Sequence, residues 1–170
     1  VIEIKQIESE KEFERAVQLS NKTNQFNLRQ LRYDYKHLFT LIDSKKLKGF
    51  LANVKDRFGD LGYVGFMTLN EMKSDRTILI EEFTLSCRAF GREIAEVFLA
   101  RILKEYKMSG FIKAFATFSL SQKNSRFKDF YLHQGFVIEN ETSNYTTYKL
   151  DLLIWNEPNI HSFQKIDLLL

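Results

Sequence analysis

The stretch Ser86-Cys87-Arg88-Ala89-Phe90-Gly91-Arg92 decides the fold, because it joins an apolar run to a strongly periodic segment. The apolar run, Thr77–Leu85, is typical of a strand. From about Arg92 onwards, apolar residues recur three and four positions apart, which predicts a helix with one face packed on a sheet. The first turn of such a helix leaves backbone N–H groups without partners, and these groups favour a bound anion. The sequence therefore predicts a strand, a turn suited to phosphate, and a helix.

The side chains of this turn also favour an anion. Gly91 lets the backbone come close to a ligand, and Arg88 and Arg92 can donate charge-assisted, bidentate hydrogen bonds to phosphate. The same residues fit an ordinary helix start whose arginines serve solubility. The turn alone does not distinguish an anion site from an ordinary helix start, so the rest of the sequence has to be considered.

The composition is typical of one globular domain. The 170 residues are 44% hydrophobic, and 16 Phe and 7 Tyr occur beside a single Pro, so we expect a packed core and no disordered linker. The net charge of +3 comes from basic residues mixed with acids, which argues against a nucleic-acid partner but fits an anionic ligand or an acidic protein. No run of about eighteen apolar residues is present, so we expect no membrane partner.

The cysteine and histidines limit the possible chemistry. Cys87 is the only cysteine, which excludes an internal disulfide and favours a reducing, cytoplasmic location. Its place at the end of an apolar strand favours a small buried side chain, whereas the neighbouring Arg88 would stabilise a nucleophilic thiolate. The three histidines lie far apart without carboxylates or cysteines at ligand spacing, so we expect no metal.

Hydrophobic patterns and turn residues predict an alternating order of elements. We predict strands at 1–7, 50–56, 63–70, 77–85, 111–118, 136–138 and 145–151, and helices at 9–19, 34–41, from 92 to before Gly110, and at 125–133. Ser9 and Glu12 have the spacing of a capping box. A helix between two strands predicts a right-handed crossover, so strands 77–85 and 111–118 should be parallel and central.

Three further segments carry few periodic signals. Residues 59–62 contain the turn residues of a hairpin, which Arg57 and Asp60 would support. Residues 21–27 are rich in amides and fit a structured polar loop. We expect one domain over 1–155 and a tail over 156–170, with its last leucines docked on a surface.

This order of elements, with a basic, glycine-containing turn after the fourth strand, resembles the GNAT acyltransferase fold. The resemblance implies an α/β (α+β) fold in which a mixed, mostly antiparallel central sheet is flanked by helices. It implies that the fourth strand splays from the fifth, that the pantetheine arm of acetyl-coenzyme A or another acyl-coenzyme A lies in the opening, and that the pyrophosphate binds the turn. The residues that it assigns to cofactor binding are Leu85, Arg88, Phe90, Gly91, Arg92, Glu93 and Asn124.

The resemblance also suggests catalytic residues. Tyr131 corresponds to a tyrosine that protonates the departing thiolate; the alternative is a tyrosine packed in a helix. Glu81 is the candidate base for an acceptor amine, with a surface carboxylate as its alternative, and strand alternation places Glu82 on the opposite face. Glu93 departs from the family pattern, in which a small residue is usual, and its carboxylate would repel a pyrophosphate.

Longer stretches narrow the resemblance to the C-terminal GNAT-like domain of FkbH-type proteins. They are Leu19-Ser20-Asn21-Lys22-Thr23-Asn24-Gln25-Phe26-Asn27-Leu28, Asp56-Arg57-Phe58-Gly59-Asp60-Leu61-Gly62, Ser86-Cys87-Arg88, Lys123-Asn124 and Asp129-Phe130-Tyr131. FkbH-type proteins join a HAD-like phosphatase-fold domain to a GNAT-like domain and supply glyceryl units to acyl carrier proteins in polyketide assembly. The resemblance therefore implies a HAD-like domain on the same longer polypeptide, and an acyl carrier protein with its acyl-phosphopantetheine as an alternative to acyl-coenzyme A.

Two functions follow from this resemblance. The first is an acyltransferase that moves an acyl group from coenzyme A or phosphopantetheine to a nucleophile, with Tyr131 as the acid. The second is a module that docks a carrier protein for the HAD-like domain and transfers nothing itself. Asn24, Gln25 and Asn27 either line the acceptor or carrier site or only satisfy backbone groups of their loop.

Overall fold

One mixed sheet forms the centre of the protein. The computed structural model describes residues 1–56, 59–159 and 165–169. Within these residues the sheet has the order β7-β8-β6-β5-β4-β3-β1-β9, with β2 paired to β5. Its strands are β1 (Ile2–Gln6), β2 (Phe26–Asn27), β3 (Lys48–Asp56), β4 (Gly59–Met72), β5 (Thr77–Leu85), β6 (Lys113–Ser119), β7 (Val137–Glu141), β8 (Tyr145–Asp151) and β9 (Ile166–Leu169). The helices are α1 (Glu10–Lys22), α2 (Tyr35–Asp43), α3 (Ile94–Met108) and α4 (Phe130–His133).

The central crossover agrees with the sequence pattern. Strands β5 and β6 are parallel, from the pair Thr77↔Lys113 to the pair Ile80↔Ala116, and α3 connects them. Strands β1 and β9 are also parallel, and the other neighbours in the sheet are antiparallel. The predicted α/β architecture, a mostly antiparallel central sheet flanked by helices, is confirmed.

Two hydrophobic clusters hold the helices on the sheet. One lies under α3, where Phe98 packs edge-on against Phe83 of β5, and the other packs α1 and α2 against Leu51 and Phe66. Gly65 of β4 lets α3 approach, since a Cβ atom there would lie 3.0 Å from the Phe98 ring. A larger residue would therefore push α3 away from the sheet.

Four elements differ from the sequence expectations. The predicted polar loop at 21–27 ends in the short strand β2, and the predicted helix at 125–133 is divided into a 3₁₀ turn at Ser125–Phe127 and α4. The Tyr148 hydroxyl donates to the Lys128 carbonyl (2.9 Å), an acceptor that a continuous helix would use for its own hydrogen bond. In the predicted tail, residues 166–169 join the sheet as β9, whereas Leu170 lies outside the described residues. Residues 59–62, predicted as a hairpin turn, belong instead to β4, where Gly59 pairs with Asp56. Arg57, expected to support that turn, lies outside the described residues.

The Glu12 carboxylate anchors the start of α1. It accepts hydrogen bonds from the backbone N–H groups of Glu8 and Ser9 (both 3.0 Å), which confirms the predicted capping box, and from the Tyr63 hydroxyl (3.1 Å). The Lys5 ammonium lies 2.7 Å away. Burial raises the pKa of Glu12, but these bonds together lower it to about 2.

Neutralising Glu12 should destabilise the protein in a pH-dependent way. Because its folded-state pKa of about 2 lies below the ordinary 4.5, the ionised carboxylate contributes stability above pH 4.5, and this contribution is lost as the pH falls towards 2. We expect Glu12→Gln to lower the free energy of unfolding in urea by about 2 kcal/mol at pH 6, and by less at pH 3. Glu14→Gln, at an exposed position of the same helix, is the control. A loss of equal size at both pH values would contradict this account.

Candidate functional site

A cavity of about 720 Å³ lies between α1 and the turn that follows β5. Four cationic side chains line this basic cavity, Arg15, Lys22, Arg88 and Lys123, and none of its described lining residues is acidic. The other described lining residues are Gln18, Leu19, Thr23, Asn24, Gln25, Leu85, Ser86, Cys87, Phe90 and Gln122. Uncompensated positive charge around a concave site favours an anionic ligand.

One face of α1 forms a wall of the basic cavity. Arg15, Gln18 and Lys22 are spaced by three and four positions, which places them on the same side of a helix. The Arg15 guanidinium is held in place by the Tyr63 carbonyl, with distances of 2.9 and 2.7 Å. The sequence pattern did not indicate this face, because the predicted helix ended at Leu19, whereas α1 continues to Lys22.

Like charges meet across the basic cavity. Burial lowers the pKa of the Arg15 guanidinium, and the positive charge of Arg88 lowers it further. Two cations held near each other repel, and an anion placed between them would relieve the repulsion. This pair supports a ligand with negative charge close to Arg88.

The turn after β5 contributes only part of its predicted set. Leu85, Arg88 and Phe90 line the basic cavity, whereas residues 91–93 are not among its described lining residues. The Arg92 guanidinium is paired with the Asp56 carboxylate of β3. The backbone of Gly91 has a φ of +74°, which suits glycine.

Helix α3 begins later than the sequence predicted. Its first residue is Ile94, and Glu93 precedes it in the left-handed region with a φ of 53°. The first hydrogen bond of this helix runs from the Val97 N–H to the Glu93 carbonyl (3.0 Å). The backbone N–H groups of residues 94–96 therefore have no acceptor within the helix. They follow the turn that the sequence predicted to bind phosphate.

Arg126 adds a cation beside the turn. Its guanidinium lies over the rings of Phe90 and Phe127, 5.6 and 4.9 Å from their centroids, and its side chain is exposed. The two rings contact each other at 5.3 Å between centroids. No sequence pattern marked Arg126, because its contact with Phe90 joins two loops that are distant in sequence.

Cys87 is exposed and lines the basic cavity. The expectation that it is a small buried side chain is wrong. Strand β5 ends at Leu85, and residues Cys87–Ala89 form a 3₁₀ turn that carries the thiol out of the sheet.

The loop before β2 divides into exposed and buried amides. Asn24 and Gln25 line the basic cavity. Asn27 is fully buried, donates to the Thr23 carbonyl (3.0 Å) and accepts from the Gln30 N–H (2.7 Å). The sequence pattern therefore combined two cavity residues with one that supports the loop.

Asn124 is also buried and bonded to backbone. Its side-chain amide donates to the carbonyls of Asn27 (3.0 Å) and Ser119 (2.8 Å), and its oxygen accepts from the Ser121 N–H (2.8 Å). It is not among the described lining residues of the basic cavity. In this arrangement Asn124 joins β2, the end of β6 and its own loop, and both N–H donors of its side chain are used.

Tyr131 lies in the core. It is 1% exposed and packs against the rings of Phe130, Phe136 and Tyr148 at centroid distances of 5.2 to 5.5 Å. Burial raises the pKa of its hydroxyl well above the ordinary value. It does not line the basic cavity, so its placement matches the alternative of a packed helix tyrosine.

Glu81 and Glu82 lie at a bulge in β5. Thr68 of β4 pairs with Glu82, and the next residue, Leu69, pairs with Ile80, so Glu81 has no partner residue in the β4–β5 register. Because of this bulge, the side chains of β5 do not show the strict alternation between the two faces that the sequence pattern predicted. The Glu81 carboxylate lies 3.8 Å from the Arg29 guanidinium, outside the basic cavity. Glu81, the candidate base for an acceptor amine, is thus paired with a cation and is not among the described lining residues of the basic cavity.

Glu82 is fully buried and organises the loop after β2. Its carboxylate accepts hydrogen bonds from the backbone N–H groups of Arg29 (3.2 Å), Leu31 (2.5 Å) and Phe83 (2.8 Å). Burial raises its pKa to about 7, although these three bonds act in the opposite direction. Glu82 therefore fixes residues 29–31 against β5.

The described residues also bear on a metal site and on a membrane span. Residues 1–56, 59–159 and 165–169 contain no group of three His, Cys, Asp or Glu side chains that could hold a metal ion. No helix in these segments is long and apolar enough to span a membrane.

Comparisons with known proteins identify the fold. No protein-family model and no curated protein sequence matches this chain. Among solved structures, it is similar to a putative GNAT-family acetyltransferase from Desulfovibrio desulfuricans, with a TM-score of 0.67, 13% identity, and coverage of 89% of this chain and 99% of the other. A ribosomal-protein-S18-alanine N-acetyltransferase from Escherichia coli gives a TM-score of 0.67 at 10% identity, and the match covers 95% of this chain and 99% of the other. A spermidine N-acetyltransferase from Vibrio cholerae gives a TM-score of 0.65 at 14% identity, and the match covers 89% of this chain and 94% of the other. The chain therefore has the fold of the GNAT acetyltransferases.

Proposed function

We propose that this domain binds a phosphopantetheine thioester at the basic cavity, presented either as acyl-coenzyme A or on an acyl carrier protein. The observation that carries the proposal is the set of four cations, without a described acidic neighbour, beside the start of α3. Both ligands contain phosphate, and phosphate accepts strong charge-assisted hydrogen bonds from Arg and Lys.

The phosphate end of the ligand fits the residues of the turn. Arg88 lies in the turn after β5, Lys123 in the loop after β6, and Lys22 at the end of α1. Acyl-coenzyme A, when bound, would supply an activated acyl thioester, and these residues would hold its phosphates.

The resemblance to FkbH-type proteins supports the carrier protein as the biological ligand. We propose that a HAD-like domain on the same longer polypeptide acts with this domain on a carrier protein in polyketide-type biosynthesis in the cytoplasm. The exposed cations of the basic cavity would also suit the acidic surface of a carrier protein.

Docking without transfer and acyl transfer share this binding step, and separate observations favour each. The GNAT fold, shared with acetyltransferases, favours transfer. The burial of Tyr131 favours docking, as does the lining of the basic cavity, whose described residues include no carboxylate or imidazole to act as general base. We therefore propose docking as the main role and acyl transfer as the second candidate.

Isothermal titration calorimetry tests the binding step. We expect the protein to bind coenzyme A, and to bind a phosphopantetheinylated acyl carrier protein at least about tenfold more tightly than the same carrier without its arm. Lys46→Ala, at an exposed position away from the basic cavity, should bind both ligands as the parent does. If the parent protein binds neither ligand, the proposed function is wrong.

Turnover separates the two roles. We expect no transfer from acetyl-coenzyme A to a panel of amines, because the described cavity lining lacks a general base. Acetylated amine that forms with the parent protein, and is lost in Tyr131→Phe, would establish the acyltransferase instead. Circular dichroism of Tyr131→Phe controls for loss of structure at this packed position.

A further inference from the structure

Strands β5 and β6 separate before they end. Their pairing stops at Ile80↔Ala116, although β5 continues to Leu85 and β6 to Ser119. Beyond this point each strand has backbone groups directed into the space between them. The resemblance to the GNAT fold places a pantetheine arm in this opening.

The chain's own strand β2 occupies the opening from the β5 side. Phe26 pairs with Leu85, Asn27 pairs with Thr84, and the Leu28 N–H donates to the Phe83 carbonyl (3.0 Å). Strand β4 already pairs with the other edge of the same β5 residues. Strand β2 therefore lies on the edge that faces β6.

The same segment is bonded to the β6 side. The Ser119 N–H donates to the Leu28 carbonyl (2.8 Å), and the Gln30 side chain donates to the Ser119 carbonyl (3.0 Å). Asn124 donates to the Asn27 carbonyl and to the Ser119 carbonyl. The segment 26–30 thus bridges both strands and uses the backbone groups that an extended arm would need.

Packing holds β2 in this position. Phe26 is 2% exposed, and its ring contacts the rings of Phe83, Phe127 and Phe130 at centroid distances of 5.2, 4.9 and 5.1 Å. Removing a buried phenylalanine from such a cluster loses its apolar burial and leaves a cavity, both of which destabilise the fold. A pantetheine arm would have to displace this ring as well as the backbone bonds.

We infer that β2 permanently closes the opening, and that a phosphopantetheine arm lies instead along α1 in the basic cavity. The second part rests on the proposed function; the closure does not. Residues 23–25, which lead into β2, line the basic cavity together with Gln18 and Lys22 of α1. Gln18 and Gln25 both line this cavity, and their side-chain amides are the proposed partners of the two amides of the arm, in place of strand backbone. The Gln18 oxygen already accepts from the Arg15 guanidinium, so Gln18 has its NH₂ group to donate. The cavity volume of about 720 Å³ lies in the range of small-molecule sites.

Hydrogen exchange measured by NMR tests the closure without any ligand. The amides of Leu28 and Ser119 both donate across the opening. We expect them to exchange within about tenfold of the amides shared by β4 and β5, which report the stability of the whole sheet. Exchange at both amides more than about 100-fold faster would show that β2 opens readily, and would overturn the closure.

The same measurement with ligand tests where the arm binds. With saturating coenzyme A, we expect chemical-shift changes at Gln25 and Arg88, and exchange at Leu28 and Ser119 that stays within about twofold. Exchange at Leu28 that is accelerated by about tenfold or more would mean that the ligand displaces β2. A protein that binds neither coenzyme A nor the carrier refutes the proposed function and the position of the arm, whereas the ligand-free exchange decides the closure separately.

Amide variants test the arm position independently. We expect Gln18→Ala and Gln25→Ala each to weaken coenzyme A binding by about fivefold to tenfold, because each removes hydrogen bonds to the arm. Gln134→Ala, in the loop after α4, is the matched control. Binding by both cavity variants that equals that of the parent would overturn the position of the arm along α1.

Discussion

The double variant Arg88→Ala, Lys123→Ala is expected to bind coenzyme A at least about 100-fold more weakly than the parent protein. Each substitution removes a cation that lines the basic cavity, and a hydrogen bond to a charged group contributes about 1.5–3 kcal/mol. Arg15 is left intact, because its guanidinium also bonds the Tyr63 carbonyl and its loss would disturb the wall of the cavity.

Calorimetry at two salt concentrations measures this effect. The dissociation constant of the parent should rise with ionic strength, and that of the double variant should rise less, since fewer charges contact the ligand. The control is the double variant Lys36→Ala, Lys46→Ala, which removes the same formal charge. Lys36 is exposed on α2 and Lys46 is exposed in the loop after it, so this variant should bind coenzyme A as the parent does. An equal loss in this control would mean that only the net charge matters, and unchanged binding in the first variant would place the phosphate elsewhere.

Replacing Glu82 by alanine is expected to lower the free energy of unfolding by about 3–5 kcal/mol. The carboxylate is 0% exposed and is the acceptor for three backbone N–H groups, which would be left unsatisfied in the interior. Residues 29–31 follow the segment that closes the opening, so their release should also increase hydrogen exchange at Leu28. Urea unfolding measures the loss, and Glu81→Ala, at the neighbouring half-buried carboxylate, should have a much smaller effect.

The pH dependence of Glu82→Gln gives a second test if the alanine variant does not fold. Because burial raises the folded-state pKa of Glu82 to about 7 from 4.5, the folded parent binds this proton more tightly than the unfolded chain. The stabilisation that the protonated Glu82 carboxyl contributes is complete below pH 4.5 and is lost as the pH rises to about 7. We expect the stability of the parent relative to Glu82→Gln to fall by about 2 kcal/mol between pH 5 and pH 8. A difference that does not change with pH, or that grows, would contradict a raised pKa.

The sequence by itself determined the frame of the molecule. Apolar runs predicted the strands, the spacing of apolar residues predicted α3, and the order of these elements predicted the parallel pair β5 and β6. These features depend on periodic patterns within one segment, or on the handedness of a crossover. The spacing of Ser9 and Glu12 likewise predicted the start of α1, because capping uses neighbours within one turn.

Only the tertiary structure decided which of these elements meet at the candidate site. The two residues of β2 are too few to carry a periodic signal, and they form a strand because β5 and β6 leave backbone groups unpaired there. Tyr131 and Asn124 fit the motif of a cofactor site, yet packing and backbone hydrogen bonds hold both in the interior. The cations of the basic cavity come from α1, the turn after β5 and the loop after β6. They are distant in sequence and become neighbours only when the sheet brings these three segments together.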